Sequence, residues 1–214
     1  MQLTLSRTLL IHALILIGVG GAIVAYRQMQ VKPLQIEEMP EPKPEEMAEI
    51  VRLSKVVSMS PYGSQGVDLE KAFRDLIALE ERYLVPEHPE IVPYRQELAF
   101  LLSYRGKYEE AETEYRVVLK ILQRVMGADA ADTLECQTRL ASVLVAEEKY
   151  AAAEQEYRQI YTLRELALGP EHPDTLSTQR SLAWVLQTQG KYAEAEREEQ
   201  ALQNIQRRGS GASR

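Results

Sequence analysis

The chain has 214 residues, 45% hydrophobic and 27% charged, with 11 Tyr against 2 Phe and 1 Trp. Apolar content of that order supports a packed core and excludes disorder throughout. A formal net charge of -7 argues against a nucleic-acid partner, because duplex affinity comes largely from phosphate neutralisation by a basic face.

The first seven residues read as a short tail. Residues 8–26 (TLLIHALILIGVGGAIVAY) contain no Asp, Glu, Lys or Arg. As a helix at ~1.5 Å per residue they approach the ~30 Å hydrocarbon core of a bilayer, which predicts a transmembrane signal anchor. Arg7 precedes the run, Arg27 and Lys32 follow it, and Tyr26 stands where an aromatic rests at the interface. With the α-amino group counted the flanks balance, so charge does not decide orientation, and the expected arrangement is that of an ordinary signal anchor with the N-terminus inside. Gly20, Gly21, Ala22 and Ala25 would also suit a signal peptidase. Cleavage there would leave a soluble, exported (periplasmic) protein, although the run exceeds a usual h-region of about 7 to 15 residues. His12, the one ionisable group in the span, reads as a tolerated neutral side chain. The single cysteine, Cys136, allows no internal disulfide and reads as a small buried helix residue.

Residues 27–46 form the expected linker. Pro33, Pro40, Pro42 and Pro44 lie there among glutamates, a composition that favours an extended, solvated tether.

The remainder is periodic. Lys-Tyr recurs at Lys107-Tyr108, Lys149-Tyr150 and Lys191-Tyr192, and Leu-Ala at Leu98-Ala99, Leu140-Ala141 and Leu182-Ala183, each with a spacing of 42. Pro86-Glu87-His88-Pro89 and Pro170-Glu171-His172-Pro173 lie two periods apart, with a degenerate Ala128 to Asp132 midway. Apolar and small residues within each period follow helical spacing, as in Tyr108, Ala111, Tyr115, Val118 and Leu119. Each period therefore predicts two helices, about 90–104 and 108–125, 132–146 and 150–167, 174–188 and 192–207. Gly106 and Gly190 supply the positive φ that ends a first helix, whereas the middle unit has Glu147-Glu148-Lys149 and must close its turn without Gly. His88 and His172 read as loop structure, with no acid or thiol cluster to make metal binding or acid/base work.

The units are 89–130, 131–172 and 173–208. A degenerate first unit, 47–88, is expected from Phe73 falling on Tyr115 and Ile77 on Leu119, with Pro61 to Gly66 as a longer loop. In the last unit Glu199 and Gln203 replace the Tyr and Leu of earlier second helices, which predicts a polar capping helix, followed by a flexible tail over 209–214.

Leu182-Ala183, Gly190-Lys191-Tyr192 and Ala195-Glu196, falling in this order, resemble the tetratricopeptide repeat. The variety is the 42-residue one of kinesin light chains and of bacterial proteins with units like H-P-D-T-L. The resemblance implies an all-α fold, a short right-handed α-solenoid of antiparallel helix hairpins, here preceded by one transmembrane helix. It implies a non-enzymatic scaffold with no cofactor, no metal and no catalytic residue, binding a partner protein or peptide on its concave face. The family's groove positions fall on Gln96, Phe100 and Ser103, on Thr138, Ser142 and Val145, and on Arg180, Trp184 and Gln187. Where related light-chain repeats carry Asn before Leu-Ala, this chain has Glu97, Arg139 and Ser181, and the long heptad segment of kinesin light chains is missing. No Gly-rich phosphate loop, metal-spaced His/Cys set or nucleophile elbow occurs. The alternative role is a non-catalytic platform subunit of an enzyme complex. The expected location is a bacterial inner membrane.

Overall fold

A computed structural model describes residues 42–59, 68–84 and 87–211. Among these are eight α-helices, one short 3-10 turn and no strand. The expected transmembrane segment, 8–26, lies outside the described residues. Among the described residues no helix is long and apolar enough to cross a membrane. The chain forms two compact units that divide within one helix, between Leu98 and Ala99.

In the N-terminal unit, α1 (Pro44–Met59) and α2 (Leu69–Glu80) pair as a hairpin. The first helix starts inside the segment read as linker. The reason is local: Pro44 suits a first turn whose N–H groups have no helical partner, Glu45 and Glu46 sit at the positive dipole end, and the Lys43 N–H donates to Glu46 Oε2 at 3.0 Å. Asp68 caps α2 by accepting from the Lys71 N–H. Ile50 and Leu53 of α1 meet Ala72 and Leu76 of α2, with Val56, Val57, Leu79, Tyr83 and Tyr94 packed around them. Pro89–Ile91 forms the 3-10 turn that leads into α3 (Val92–Tyr104).

In the C-terminal unit, the second half of α3 is followed by α4 (Tyr108–Met126), α5 (Ala131–Ala146), α6 (Tyr150–Leu168), α7 (Pro173–Thr188) and α8 (Tyr192–Gly211). From α4 onward each helix packs against the next. Ala111, Ala141, Ala153, Ala183 and Ala195 are buried at these contacts. A methyl side chain at each crossing lets helix backbones approach closely, while Tyr115, Tyr157, Leu140, Leu144 and Ile160 fill the space between turns. On α8, Leu202 is buried whereas Glu199 and Gln203 are exposed. This helix runs to Gly211, past the start of the expected tail. No proline stops it, and Arg207 lies towards its negative dipole end.

The three tight turns share one backbone solution. Gly106 and Gly190 take φ values of 75° and 76°, and Glu148, in register with them, takes 60°. The middle turn thus closes in the left-handed region without glycine, at a steric cost. His172 caps α7: its Nδ1 accepts from the Asp174 N–H at 3.2 Å, and His88 accepts likewise from Glu90. The histidines are helix caps rather than plain loop residues.

Candidate functional site

The sequence-selected positions fall on the first helices of the hairpins. Gln96, half-buried, belongs to the N-terminal unit. The other eight lie in the C-terminal unit.

On the last part of α3, Phe100 is exposed, and the Arg139 guanidinium of α5 stands 5.9 Å from its ring centroid. That is cation–π range. Arg139 also pairs with Glu135 at 3.0 Å. The Ser103 hydroxyl donates to the Phe100 carbonyl at 2.8 Å. Beneath lies Tyr115, whose phenol is pushed up by burial against the opposing influence of Arg139 and Ser103.

On α5, the Thr138 hydroxyl donates to the Leu134 carbonyl at 2.7 Å and Ser142 to the Thr138 carbonyl at 3.0 Å. The Ser142 oxygen also lies 3.3 Å from the Tyr157 hydroxyl. These hydroxyls are largely satisfied by their own helix. Val145 is half-buried.

On α7, Trp184 is 50% exposed, its ring edge-on to Tyr150 at a centroid distance of 6.3 Å and 68° between planes. A tryptophan supported on one side and open on the other has apolar area left to bury. Arg180, one turn earlier on the same face, is exposed and makes no hydrogen bond or ion pair among the described residues. Gln187, one turn later, is exposed as well. The arrangement can supply an aromatic surface, a free guanidinium and an amide along one helix face. It offers no nucleophile or acid/base pair. Among the described residues no three His, Cys, Asp or Glu side chains converge as a metal site would require.

Comparison with known proteins decides the family. The family described as Tetratricopeptide repeat matches over residues 92–165 and 129–208, together more than half of the chain. The chain belongs to the tetratricopeptide repeat family. No curated protein matches. Among solved structures, it is similar to nearly identical TPR-like repeats of a Podosopora anserina protein described as a kinesin light chain. That match has 21% identity, covers 82% of each chain and has a TM-score of 0.63. It is also similar to BtubC (BKLC) from P. vanneervenii, at 16% identity over 89% of this chain and 74% of that one, with a TM-score of 0.62. At such identities the likeness shows the fold, an all-helical solenoid of the kinesin-light-chain-like kind.

Within this tetratricopeptide fold, sequence reading overlooked two sets of side chains. Arg139 and Tyr150 brace the exposed aromatics. The second set is a periodic polar scaffold: Gln137 Nε2 donates to Glu156 Oε2 at 2.7 Å, and one period on Gln179 Nε2 donates to Glu198 Oε2 at 2.9 Å. Both pairs repeat with the same spacing of 42 in the sequence, which is the signal that could have found them.

Proposed function

We propose that this protein is a non-catalytic scaffold, tethered to a membrane by residues 8–26, that holds a partner protein or peptide on the concave face formed by its first helices. The tetratricopeptide fold supports a protein-binding role. The observation that carries the site is Trp184, half-exposed on α7 between an exposed guanidinium, Arg180, and an exposed amide, Gln187. Large aromatics with residual exposure, ringed by polar groups, are the usual anchors of protein interfaces. Phe100 is the second anchor, and Thr138, Ser142, Val145 and Ser103 are contact positions around them.

Trp184 is the sole tryptophan, so its emission reports on the site directly. Peptides selected from a random displayed library on the full chain should shift that emission saturably. Phe100→Ala should weaken them by roughly tenfold or more while far-UV circular dichroism is unchanged, as should Trp184→Ala, read by anisotropy of labelled peptide. Selected peptides that bind both variants as tightly as the parent would sink the groove. The tether rests on the sequence of residues 8–26. Alkaline carbonate extraction should leave the chain in the membrane pellet with its original N-terminus, and release with a new N-terminus near Tyr26 would refute it.

A further inference from the structure

The joints between successive hairpins repeat a polar contact, and one of them is chemically different. Glu112 on α4 and Glu154 on α6 stand one period apart, and the turn of the following hairpin reaches each. At the later joint, Gln189 Nε2 and Lys191 Nζ both donate to Glu154 Oε2 at 2.6 Å. At the earlier joint, Lys149 Nζ donates to Glu112 Oε2 at 2.6 Å. The residue in register with Gln189 is here Glu147.

An amide carries N–H donors, whereas an ionised carboxylate carries none. The Glu147 side chain is 6% exposed, and Lys149 Nζ stands 3.2 Å from its Oε2. Lys149 Nζ thus brings the Glu112 and Glu147 carboxylates side by side, and two ionised carboxylates so close and so little exposed oppose folding. One proton reverses this: a protonated Glu147 has an O–H where the later joint has the N–H of Gln189.

We propose that Glu147 is a proton-operated latch between hairpins, protonated in the closed joint and donating to the Glu112 carboxylate. The charged groups around it are Lys149 from its own turn and, from α4, Glu112 with its Arg116 partner at 2.7 Å. Burial raises the Glu147 pKa above the usual carboxylate range and the Glu112 charge adds to this, outweighing Lys149. Burial also works on Glu112, but bonds from Lys149, Arg116 and Glu147 overcome it and hold that pKa down at about 2. The proton therefore belongs to Glu147. Since its folded pKa is raised, the latch is fully closed below the unfolded value of 4.5 and is lost as pH rises through the folded value. Its loss falls on a turn that already holds Glu148 at φ 60°.

The turn is closed by the Lys149 N–H on the Leu144 carbonyl at 2.8 Å and the Glu148 N–H on the Val145 carbonyl at 3.0 Å. Hydrogen exchange of these two amides in the full chain reads the latch. After correction for intrinsic rates, protection in the parent should fall as pH rises above 4.5, while Glu147→Gln, a permanent donor, should stay flat. The variant should exceed the parent at the upper end of the pH range and match it at the lower end. Glu112→Gln, which removes the charge that favours the proton, should shrink the parent's pH dependence. A Glu147→Gln profile that tracks the parent's across the whole range would overturn the latch. Should that variant lose helicity, the carboxyl carbon-13 titration of parental Glu147 decides: a midpoint above 4.5 supports the latch and one at or below it refutes it.

Discussion

Glu80 is the last residue of α2, 3% exposed, with Oε2 buried and without a hydrogen-bond partner. Burial, and after it the charge of Glu90, push its pKa from 4.5 up to about 8. Between those two values the folded chain holds a proton that the unfolded chain releases. Stability must therefore fall as pH rises through that window and level off above it. At ~1.4 kcal/mol per pH unit of separation the loss is ~5 kcal/mol over the whole window, and ~3 kcal/mol of it has accrued by pH 7. Glu80→Gln removes the titration. Guanidinium unfolding of parent and variant, followed by far-UV circular dichroism at about pH 5, 7 and 9, tests this. The variant should gain on the parent steadily as pH rises, by ~2 to 3 kcal/mol at pH 7 in the transition that melts the N-terminal unit. Leu122, one period on, is buried in the same register, so Glu80→Leu should stabilise at least as much as Glu80→Gln. Equal pH slopes for parent and Glu80→Gln would refute the assignment of a buried, neutral carboxyl.

Two further outcomes follow from the turns and caps. Glu148→Gly should stabilise by about 1 kcal/mol, because a left-handed residue is relieved of its Cβ; a Cβ placed on Gly106 or Gly190 meets nothing within 4 Å, so the strain lies in the backbone alone. Thermal melting should show it as a rise of ~2 to 4 °C, and no rise would mean the turn absorbs the strain. His172→Ala should cost about 1 kcal/mol by removing the acceptor that caps α7, and His172→Asp should restore it, both read by denaturant unfolding; equal losses in the two variants would show that the imidazole acts by packing instead.

Most of the helical layout was legible because the signals that set it are local or periodic. A repeated Ala at each helix crossing, Lys-Tyr at each turn and Leu-Ala in each first helix recur at one spacing, and the helices of the C-terminal unit lie within a few residues of the expected bounds. What escaped reading has physical causes too. The proline count of residues 27–46 obscured that the last proline sits where a helix tolerates it best, so α1 begins at Pro44. The middle turn was expected to close without Gly but its conformation was not legible, because Glu is a poor left-handed residue, and Glu148 nevertheless adopts the conformation of its neighbours. The braces at the candidate site, Arg139 on Phe100 and Tyr150 on Trp184, join residues 39 and 34 apart. Only a superposition of hairpins shows such neighbours.

The lysine of the Lys-Tyr marker explains why so simple a dipeptide tracks the repeat. Lys149 and Lys191 each bind the second-helix glutamate of the preceding hairpin, and Glu154, itself buried, also takes Gln189 and Arg158. Burial raises the Glu154 pKa, but these donors outweigh it and the pKa ends below the usual value. A carboxylate so held contributes stability above the unfolded value, which is lost as pH falls through the folded one. The neighbouring joint shares that dependence through Glu112 and adds, through Glu147, one of opposite sense. One repeated contact, differing by a single Gln-to-Glu replacement, thus gives one joint of the solenoid a pH dependence that its neighbour lacks. The last hairpin has Glu196 in the same register, where it accepts from Gln200 of its own helix at 3.1 Å. The clamp is therefore a property of stacking between hairpins rather than of the hairpin itself, which is why it carries the period so faithfully.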